Sequence, residues 1–229
     1  MHQLVTIKLS HYNEKARWAL ERFSVPYEER GYMPMLHMVG VLPIALRYRK
    51  GKMDKVSSPL STPVLVTEGG LCLHDSSEIV RWASDHHAPA GFDLYPTRRV
   101  AELEQRFALG LGPHSRRIGY YHLFGAPELL DDLADVNVGR TQARLFRLIR
   151  PLGQKLITKS LKINEPAATR SLDFCRKEVA DLAGLLDGRE YLEAGRFTAA
   201  DLALACMMAP LLLPSPEEGY GGVFPAIDA

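Results

Sequence analysis

A single hydroxyl group stands where the opening segment of the chain changes its hydrophobic period. Residues 5–9 alternate apolar and polar side chains, as in a strand, whereas residues 16–23 place their apolar side chains at the spacing of one helical face. Ser10 lies between them, beside the unpaired N–H groups and the positive dipole end of the predicted helix. This position favours an anion, to which a hydroxyl can donate. Ser10 is therefore the first candidate for chemistry; the alternative is that it only caps the helix.

A second polar helix start lies at Asp75 and Ser76. It follows residues 62–74, in which two short apolar runs joined by a Gly-Gly pair predict a β-hairpin. Residues 79–83 then take up helical spacing. Asp75 and Ser76 are predicted to cap this helix, and the same first turn can hold a carboxylate. The two roles are compatible, so both residues are also candidates for ligand binding.

A third polar group stands in the middle of the chain, at the start of another predicted helix. Its members are His114, Arg117, Tyr120 and Tyr121. Three of them, His114, Arg117 and Tyr121, are three to four residues apart, so a helix places them on one face. We expect this group to contact a substrate across from Ser10. The alternative is a polar helix face with Tyr120 packed in the core.

Length, charge and cysteine content limit the classes of protein to which the chain can belong. Its 229 residues suffice for one large or two small domains, and the net charge of +1 gives no electrostatic reason to bind nucleic acid. The three cysteines are far apart, which argues against a disulfide framework, a redox pair or a zinc site. The adjacent His86 and His87 have no further ligands, so no metal site is predicted.

The N-terminal pattern bears on the location of the protein. The chain opens with a strand rather than a basic and then apolar leader, and no apolar run reaches the roughly 20 residues that a membrane span needs. We therefore expect a cytoplasmic protein without a membrane partner.

The order of the predicted elements divides the chain into two units. Strand, helix, a second strand at Tyr27–Arg30, an irregular segment, hairpin and helix precede a part in which no strand is predicted. We predict a mixed α/β domain over 1–86, a linker over 87–97 and an all-helical domain over 98–229. The helical patterns of the second domain cover Val100–Leu111, Gly112–Phe124, Pro127–Leu161, Glu165–Leu186 and Thr198–Met208.

Four other segments are interpreted as structure alone. Met33–Leu46 is apolar but interrupted by proline and glycine, so we expect an irregular helix at best. Arg47–Lys55 is expected to be a solvated loop, and the arginines of 140–150 are expected to form a solvated helix face. Thr198-x-x-Asp201 has the form of a capping box.

The element order and four short motifs resemble those of the cytosolic glutathione transferases. The motifs are 10–17 at the strand-to-helix turn, 61–65 at the loop that carries a cis-proline in that family, 75–79 at the third helix, and 197–201 in the helical domain. The resemblance implies an α/β thioredoxin-like domain followed by an all-α helical-bundle domain, and a homodimer. Members of the family often have a closing helix over the cleft. Here Pro214–Ala229 is a Pro- and Gly-rich tail instead, so we expect an open site or a longer chain.

The resemblance also implies a function. The protein would bind glutathione as a co-substrate, stabilise its thiolate and transfer it to a small, mostly apolar electrophile. The alternative is a protein that retained the fold but only binds glutathione or a hydrophobic ligand, or interacts with another protein. Related turns often carry cysteine at the position of Ser10 or Asn13, and its absence here argues against thiol-transfer chemistry.

By the same resemblance, the candidate residues acquire roles. Ser10 would donate to the glutathione sulfur, with Tyr12 and Asn13 as alternative donors. Thr62, cis-Pro63 and the backbone of Val64 would hold the cysteinyl part, and Asp75 and Ser76 would hold the γ-glutamyl part. His114, Arg117, Tyr120 and Tyr121 would contact the electrophile.

Overall fold

The computed structural model describes residues 1–48 and 60–224. Most of the basic segment predicted as a loop, 49–55, therefore lies outside the described residues, whereas Arg47 and Tyr48 end a helix. Among the helices of the described residues, none combines the length and apolar character needed to cross a membrane.

The elements are β1 (His2–Ile7), α1 (His11–Arg22), β2 (Tyr27–Tyr32), α2 (His37–Tyr48), β3 (Val64–Val66), β4 (Cys72–Leu73), α3 (Ser76–His87), α4 (Arg98–Arg106), a π-helical segment (Phe107–Leu111), α5 (Gly112–Gly125), α6 (Pro127–Asn137), α7 (Arg140–Leu161), α8 (Glu165–Leu186), α9 (Ala199–Leu212) and a 3₁₀ turn (Pro216–Glu218).

The N-terminal part is built on a small mixed sheet of order β2-β1-β3-β4. Strand β1 pairs in parallel with β2, because α1 carries the chain back to the same sheet end, and pairs antiparallel with β3. The register places Leu4 opposite Leu65, and both side chains are fully buried. After α3 the described elements are all helical. This confirms the predicted fold class, a thioredoxin-like α/β part followed by a helical part.

The expectation of an irregular helix at 33–46 is wrong in part: residues 33–36 precede the helix, whereas His37–Tyr48 form α2, an α-helix of 12 residues. Pro43 lies inside it and leaves the carbonyl of Val39 without its usual helical donor. Val39 is 69% exposed, so water reaches that side of the helix. Gly40 packs against the ring of Tyr32, where a β-carbon would stand only 2.6 Å from a ring atom. The glycine that argued against a helix is therefore needed by the helix's packing.

The continuous helical pattern predicted for Pro127–Leu161 is divided in the structure. Val138 and Gly139 are both extended, so α6 ends before them and α7 begins after them. The apolar period continues across the break because the apolar faces of α6 and α7 pack into one shared core, which includes Leu133, Ala143 and Phe146.

The expectation that the arginines of 140–150 form only a solvated face is also wrong in part. Arg150 bonds to Asp131 at 2.5 Å, and Arg147 pairs with Asp135. Both arginines lie on α7 and both aspartates on α6, so the ion pairs link the two antiparallel helices. Spacing along one helix could not reveal the acidic partners on its neighbour.

Helix α9 lies at the centre of the main hydrophobic core. It is apolar on all sides, as expected of a helix surrounded by others. Asp201 caps its start, accepting from the backbone N–H groups of Thr198 at 2.8 Å and Leu192 at 2.9 Å, so the predicted capping box is confirmed. The buried side chains of α9 are Ala199, Ala200, Leu202, Ala203, Cys206, Met207 and Ala209.

The two parts of the molecule meet where α1 approaches the joint between α4 and α5. The N–H of Gly112 bonds to the carbonyl of Phe107, five residues earlier, as in a π-helix. The carbonyl of Ala108 would next bond to residue 113, which is a proline without an N–H. The hydroxyl of Tyr12 donates to this carbonyl at 2.8 Å. A local irregularity in the helix thus provides the acceptor that joins it to α1.

Gly112 is required at this joint because nothing larger fits. A β-carbon there would lie 2.5 Å from the Tyr12 hydroxyl oxygen and 2.6 Å from the sulfur of Met207. We predict that Gly112→Ala lowers the free energy of unfolding by about 1–3 kcal/mol through overpacking, measured by urea denaturation.

The matched control is Gly184→Ala, since Gly184 lies within α8 with open space around it. There the better helix propensity of alanine should raise the free energy of unfolding by up to about 1 kcal/mol. Equal effects of the two substitutions would contradict the proposed close approach.

Candidate functional site

A large cavity opens between the two parts of the molecule. Its volume is about 720 Å³, and it lies between the start of α1, the connection from β2 to α2, and helices α5, α6 and α7. Most of its wall is apolar, which suits the burial of an organic ligand. The polar side chains in the wall are Ser10, His11, Tyr12, His37, Ser61, Thr62, Arg116, Tyr120, His122, Arg150 and Gln154.

Ser10 lies at the N-terminus of α1 and faces this cavity. It is the N-cap residue, with an extended backbone whose carbonyl accepts from the N–H groups of Asn13 and Glu14, both at 2.9 Å. Its hydroxyl makes no capping bond to the helix. The side chain is therefore available to a ligand, and the helix dipole directs positive potential towards it.

Tyr12 and Asn13, the alternative donors, are both held by the protein. The hydroxyl of Tyr12 is engaged with Ala108, and burial raises the pKa of Tyr12 to about 12, so it stays a protonated donor. Asn13 is fully buried, and its amide nitrogen donates to the carbonyl of Ile7 at 3.1 Å and the hydroxyl of Thr62 at 3.2 Å. Asn13 thus fixes the end of β1 against the loop that carries Pro63. Of the three predicted donors, Ser10 alone presents to the cavity a hydroxyl with no hydrogen bond to residues 1–48 and 60–224.

The loop before β3 also reaches the cavity. The Thr62-Pro63 peptide bond is cis, and Thr62 lines the wall. Val64 is buried and lies opposite Val5 in β1. On the other edge of β3, the pairing with β4 includes Leu65 and Val66 but stops before Val64.

Asp75 and Ser76 begin α3, next to this sheet edge. Asp75 is the N-cap, and its carboxylate accepts from the N–H of Ser77 at 2.7 Å. Ser76 is buried. The cavity wall formed by the described residues includes neither of them, nor Val64. The structure therefore places these three candidates at the sheet edge beside the cavity rather than in its wall.

The group on α5 is divided between two faces of the helix. His114 and Arg117 do not line the cavity. His114 stacks on Phe174 with ring centroids 4.1 Å apart, and Arg117 donates to the carbonyl of Leu161 at 3.0 Å. Both also bond to the buried hydroxyl of Ser171, at 3.0 and 2.8 Å. These two side chains hold α5 to α8, so the expectation that they contact a substrate is corrected.

Of the remaining two candidates on α5, one lies in the cavity. Tyr120 lines the wall, and burial raises its pKa. Tyr121 borders a separate small pocket with Thr158 and Ile163. The spacing argument correctly placed His114, Arg117 and Tyr121 on one side of the helix, but a helical period does not reveal which side turns to the cavity.

Several polar residues of the cavity wall were not assigned a role from the sequence, among them His11 and Arg116. His11 is 3% exposed, and burial, together with the charge of Arg116, lowers its pKa to about 3. Arg116 places its guanidinium carbon 5.8 Å from the centre of the Tyr12 ring. The sequence indicated these two residues only by their positions. His11 directly follows Ser10, and Arg116 lies one helical turn after Gly112, the glycine that α1 approaches.

Buried ion pairs fix α1 in its place. Lys15 is fully buried and bonds to the hydroxyl of Ser77 in α3 at 2.8 Å and to Glu104 in α4 at 2.9 Å. Tyr95 donates to the other oxygen of Glu104 at 2.9 Å. A buried charge is tolerated only with such partners. The network joins α1, α3 and α4, and therefore sets the position of Ser10 relative to both parts of the molecule.

The C-terminal tail packs against α1 and α6. Trp18 donates to the carbonyl of Gly219 at 2.8 Å, and the N–H of Gly221 donates to Glu14 at 3.0 Å. Asn137 on α6 exchanges two hydrogen bonds with the backbone of Val223, at 2.7 and 2.8 Å. The next residue, Phe224, lines the cavity. Residues 214–224 of the predicted tail thus pack on α1 and α6, with Phe224 in the cavity wall, and 225–229 lie outside the described residues.

Comparison with known proteins identifies the fold. No family model and no curated protein matches the sequence. Glutathione transferase URE2P8 from Phanerochaete chrysosporium, solved with oxidised glutathione, matches with a TM-score of 0.58 and 16% identity over 96% of this chain and 85% of that one. A glutathione S-transferase from Methylobacillus flagellatus with glutathione bound matches with a TM-score of 0.58 and 14% identity over 97% of this chain and 90% of that one.

Poplar glutathione transferase F1 gives a similar result. It matches with a TM-score of 0.59 and 17% identity over 96% of this chain and 85% of that one, and a serine-to-cysteine variant of it matches equally well. The chain therefore has the fold of the glutathione transferases.

The buried hydroxyl of Ser171 provides a test of the corrected role of His114 and Arg117. We predict that Ser171→Ala lowers the free energy of unfolding by about 1–3 kcal/mol, because it leaves both side chains short of a partner. The measurement is chemical denaturation. Ser160→Ala is the control, since Ser160 is exposed on α7 and bonds only within its own helix, so a change below about 0.5 kcal/mol is expected. Equal losses would mean that Ser171 does not hold α5 to α8.

The lowered pKa of His11 predicts a pH dependence of stability. Between the ordinary pKa of 6.5 and the folded value of about 3, the unfolded chain binds a proton that the folded chain does not. Stability should therefore fall as the pH decreases, by up to about 1.4 kcal/mol per pH unit from this residue. His11→Gln should make the free energy of unfolding fall less steeply between neutral pH and about pH 5. If the free energy of unfolding had the same pH dependence in the wild type and in His11→Gln, His11 would take up its proton in the folded state as readily as in the unfolded chain.

Proposed function

We propose that this protein is a glutathione transferase that activates the glutathione thiol at Ser10 and transfers it to an apolar electrophile in the cavity. One observation carries the proposal: the uncommitted hydroxyl of Ser10, at the N-terminus of α1, faces a large apolar cavity in a glutathione transferase fold. Two proteins of similar structure were solved with glutathione or its oxidised form bound, which supports the same ligand here.

The chemistry requires a thiolate, because the thiol form is a poor nucleophile. A free thiol has a pKa of about 8.5, so only a small fraction is ionised near neutral pH. Lowering that pKa by two units requires about 2.7 kcal/mol. One charge-assisted hydrogen bond from Ser10 and the dipole of α1 together supply an amount of this order. The thiol releases its proton to solvent, and Ser10 donates a hydrogen bond that stabilises the resulting anion. The sulfur then forms a bond to carbon of the electrophile and displaces its leaving group, such as chloride.

The remaining parts of glutathione fit the polar groups along the sheet edge. Val64 is beyond the end of the β3–β4 pairing, so its backbone is positioned to pair with the cysteinyl part of the tripeptide as an added strand. The N-terminus of α3, with Asp75 and Ser76, suits the γ-glutamyl carboxylate and ammonium groups. Thr62, in the loop held by Asn13, lies between these positions and the cavity.

The proposal includes the cellular location and the oligomeric state of the protein. We propose a cytoplasmic enzyme that forms a two-fold dimer, the most frequent oligomer class. Light scattering of the purified chain gives its mass in solution and tests the dimer directly.

Substitution of Ser10 tests the proposed activity. Ser10→Ala should raise the pKa of the bound thiol by about one to two pH units. Near neutral pH, kcat/KM with an activated aryl chloride should then fall by about ten- to a hundred-fold, because less thiolate is present. The measurements are the pH profile of kcat/KM and the dissociation constant of glutathione by calorimetry, which should change little.

Ser10→Thr is the matched control, since it keeps the hydroxyl and should retain most of the activity. Unchanged turnover in Ser10→Ala would assign the thiolate donor to another residue. Glutathione binding without turnover in the wild type would favour a binding protein over an enzyme. A calorimetric titration with glutathione that produces no heat and no shift in Tm would overturn the proposal.

A further inference from the structure

The wall of the large cavity contains an arginine whose charge no neighbouring carboxylate balances. Arg116 and Arg150 both line the cavity, and among the described residues that line it there is no aspartate or glutamate. Arg150 bonds to Asp131 at 2.5 Å and to the carbonyl of Pro127 at 2.7 Å, so its charge is neutralised. Within residues 1–48 and 60–224, Arg116 forms no ion pair and lies instead near the face of the Tyr12 ring. A buried cation of this kind requires a counter-charge.

Four buried nitrogen atoms of the same wall have no hydrogen-bond partner among the described residues. They are Nε2 of His11, Nδ1 of His37, Nε of Arg116 and Nε of Arg150. Buried polar atoms without a partner are rare in native structures. A molecule bound in the cavity can supply the partners, so these four atoms restrict its chemistry.

The two guanidinium nitrogens require acceptor atoms from the ligand. Nε of an arginine always carries hydrogen and can only donate, whereas an imidazole nitrogen accepts or donates according to the tautomer and the charge of the ring. Nε2 of His37 lies 3.1 Å from the carbonyl oxygen of Leu60 and therefore carries hydrogen, so Nδ1 accepts in the neutral ring and donates in the charged ring. A nearby anion favours the charged ring. The histidines are thus compatible with an anion, and the arginines require acceptors.

The two arginines lie at opposite ends of the cavity. Arg116 is on the second turn of α5, beside Tyr12, which follows Ser10 by two residues. Arg150 bonds to Pro127, the first residue of α6. From Arg116 to its end, just before α6, helix α5 extends about 14 Å. The unbalanced charge is therefore at the end of the cavity where the proposed thiolate forms.

We propose that the cavity takes apolar electrophiles that carry a carboxylate, and that Arg116 pairs with this carboxylate. The hydrocarbon part occupies the apolar wall towards α6, where Arg150 can donate to a further acceptor. A hydrocarbon leaves both arginines without an acceptor, and a neutral acceptor leaves the charge of Arg116 unbalanced. The inference rests on the proposed function for the reaction and deepens it by naming the class of electrophile.

Binding of two inert aromatic ligands tests the anion site without glutathione. 2-Naphthoate and 2-naphthamide have nearly the same size and shape and both have an acceptor oxygen, but only the naphthoate is charged. Each is titrated into the whole chain by calorimetry near neutral pH. We expect the naphthoate to bind about tenfold tighter, because a hydrogen bond between two charged groups is stronger than one to a neutral acceptor.

The same titrations in saturating S-methylglutathione separate this site from the site of the tripeptide. S-methylglutathione keeps both carboxylates of glutathione but forms no thiolate. If Arg116 serves the electrophile, the naphthoate should still bind and should still be preferred about tenfold over the naphthamide.

Substitutions at Arg116 assign the preference to this side chain. Arg116→Gln removes the charge and should reduce the preference to about twofold or less, whereas Arg116→Lys keeps the charge and should retain most of it. Arg176→Gln is the matched control, since it removes the same charge from a side chain that is 72% exposed on α8 and outside the cavity wall. It should leave the preference at about tenfold. If Arg116→Gln does not fold, Arg116→Met makes the same test.

Turnover tests the class of electrophile. With 4-chloro-3-nitrobenzoate or 4-chloro-3-nitrobenzamide, the thiolate forms a bond to the ring carbon that carries chlorine, and chloride leaves with the electron pair of the C–Cl bond. Each kcat/KM is divided by the rate constant of the uncatalysed reaction, which removes the difference in intrinsic reactivity. We expect the resulting ratio to be about tenfold higher for the benzoate. Arg116→Gln should lower the ratio about tenfold for the benzoate and change it little for the benzamide.

Four outcomes would overturn the inference. Equal affinities for the naphthoate and the naphthamide would mean that the cavity does not select an anion, and an unchanged preference in Arg116→Gln would place the anion elsewhere. Loss of naphthoate binding in S-methylglutathione would assign Arg116 to a carboxylate of glutathione. Equal losses of turnover with the benzoate and the benzamide would assign it to the thiolate. A glutathione titration without heat overturns the proposed function alone, because the naphthoate preference is measured in its absence.

Discussion

The close approach of α1 to Gly112 is the constraint on which the rest of the site depends. Tyr12 donates to the carbonyl of Ala108, to which Pro113 has no N–H to donate, and Gly112 has no side chain in the way. The same approach leaves His11 buried and Ser10 at the rim of the cavity. The two parts of the molecule are thus joined at the first turn of α1, where the proposed chemistry takes place.

Charged residues buried under α1 make this arrangement rigid. Lys15 lies between Ser77 and Glu104, and Arg17 bonds to both Glu14 and Glu29. Buried ion pairs add little net stability, but each charge needs its partner in one geometry. The networks therefore restrict how α1 can pack, which suits a helix whose end must meet a ligand at a fixed distance.

The sequence predicted the fold class because its signals are local. The change of period at Ser10, the Gly-Gly turn and the capping box of Thr198 and Asp201 each depend on a few neighbouring residues. Contacts between distant segments were not accessible in this way. The period of α5 did not show that Arg116 and Tyr120 face the cavity while His114 and Arg117 face α8. Nor did it show that Asn13 and Tyr12 are engaged with residues far along the chain.

The tail that follows α9 gives the cavity a wall that is independent of the helical core. It is attached to α1 and α6 by backbone hydrogen bonds of Gly219, Gly221 and Val223, and Phe224 lines the cavity. Substitution of Phe224 can reshape the pocket while the packing of the helices stays intact. Ligand preference can therefore diverge among proteins of this architecture at little cost to folding, through a side chain that lies outside the helices.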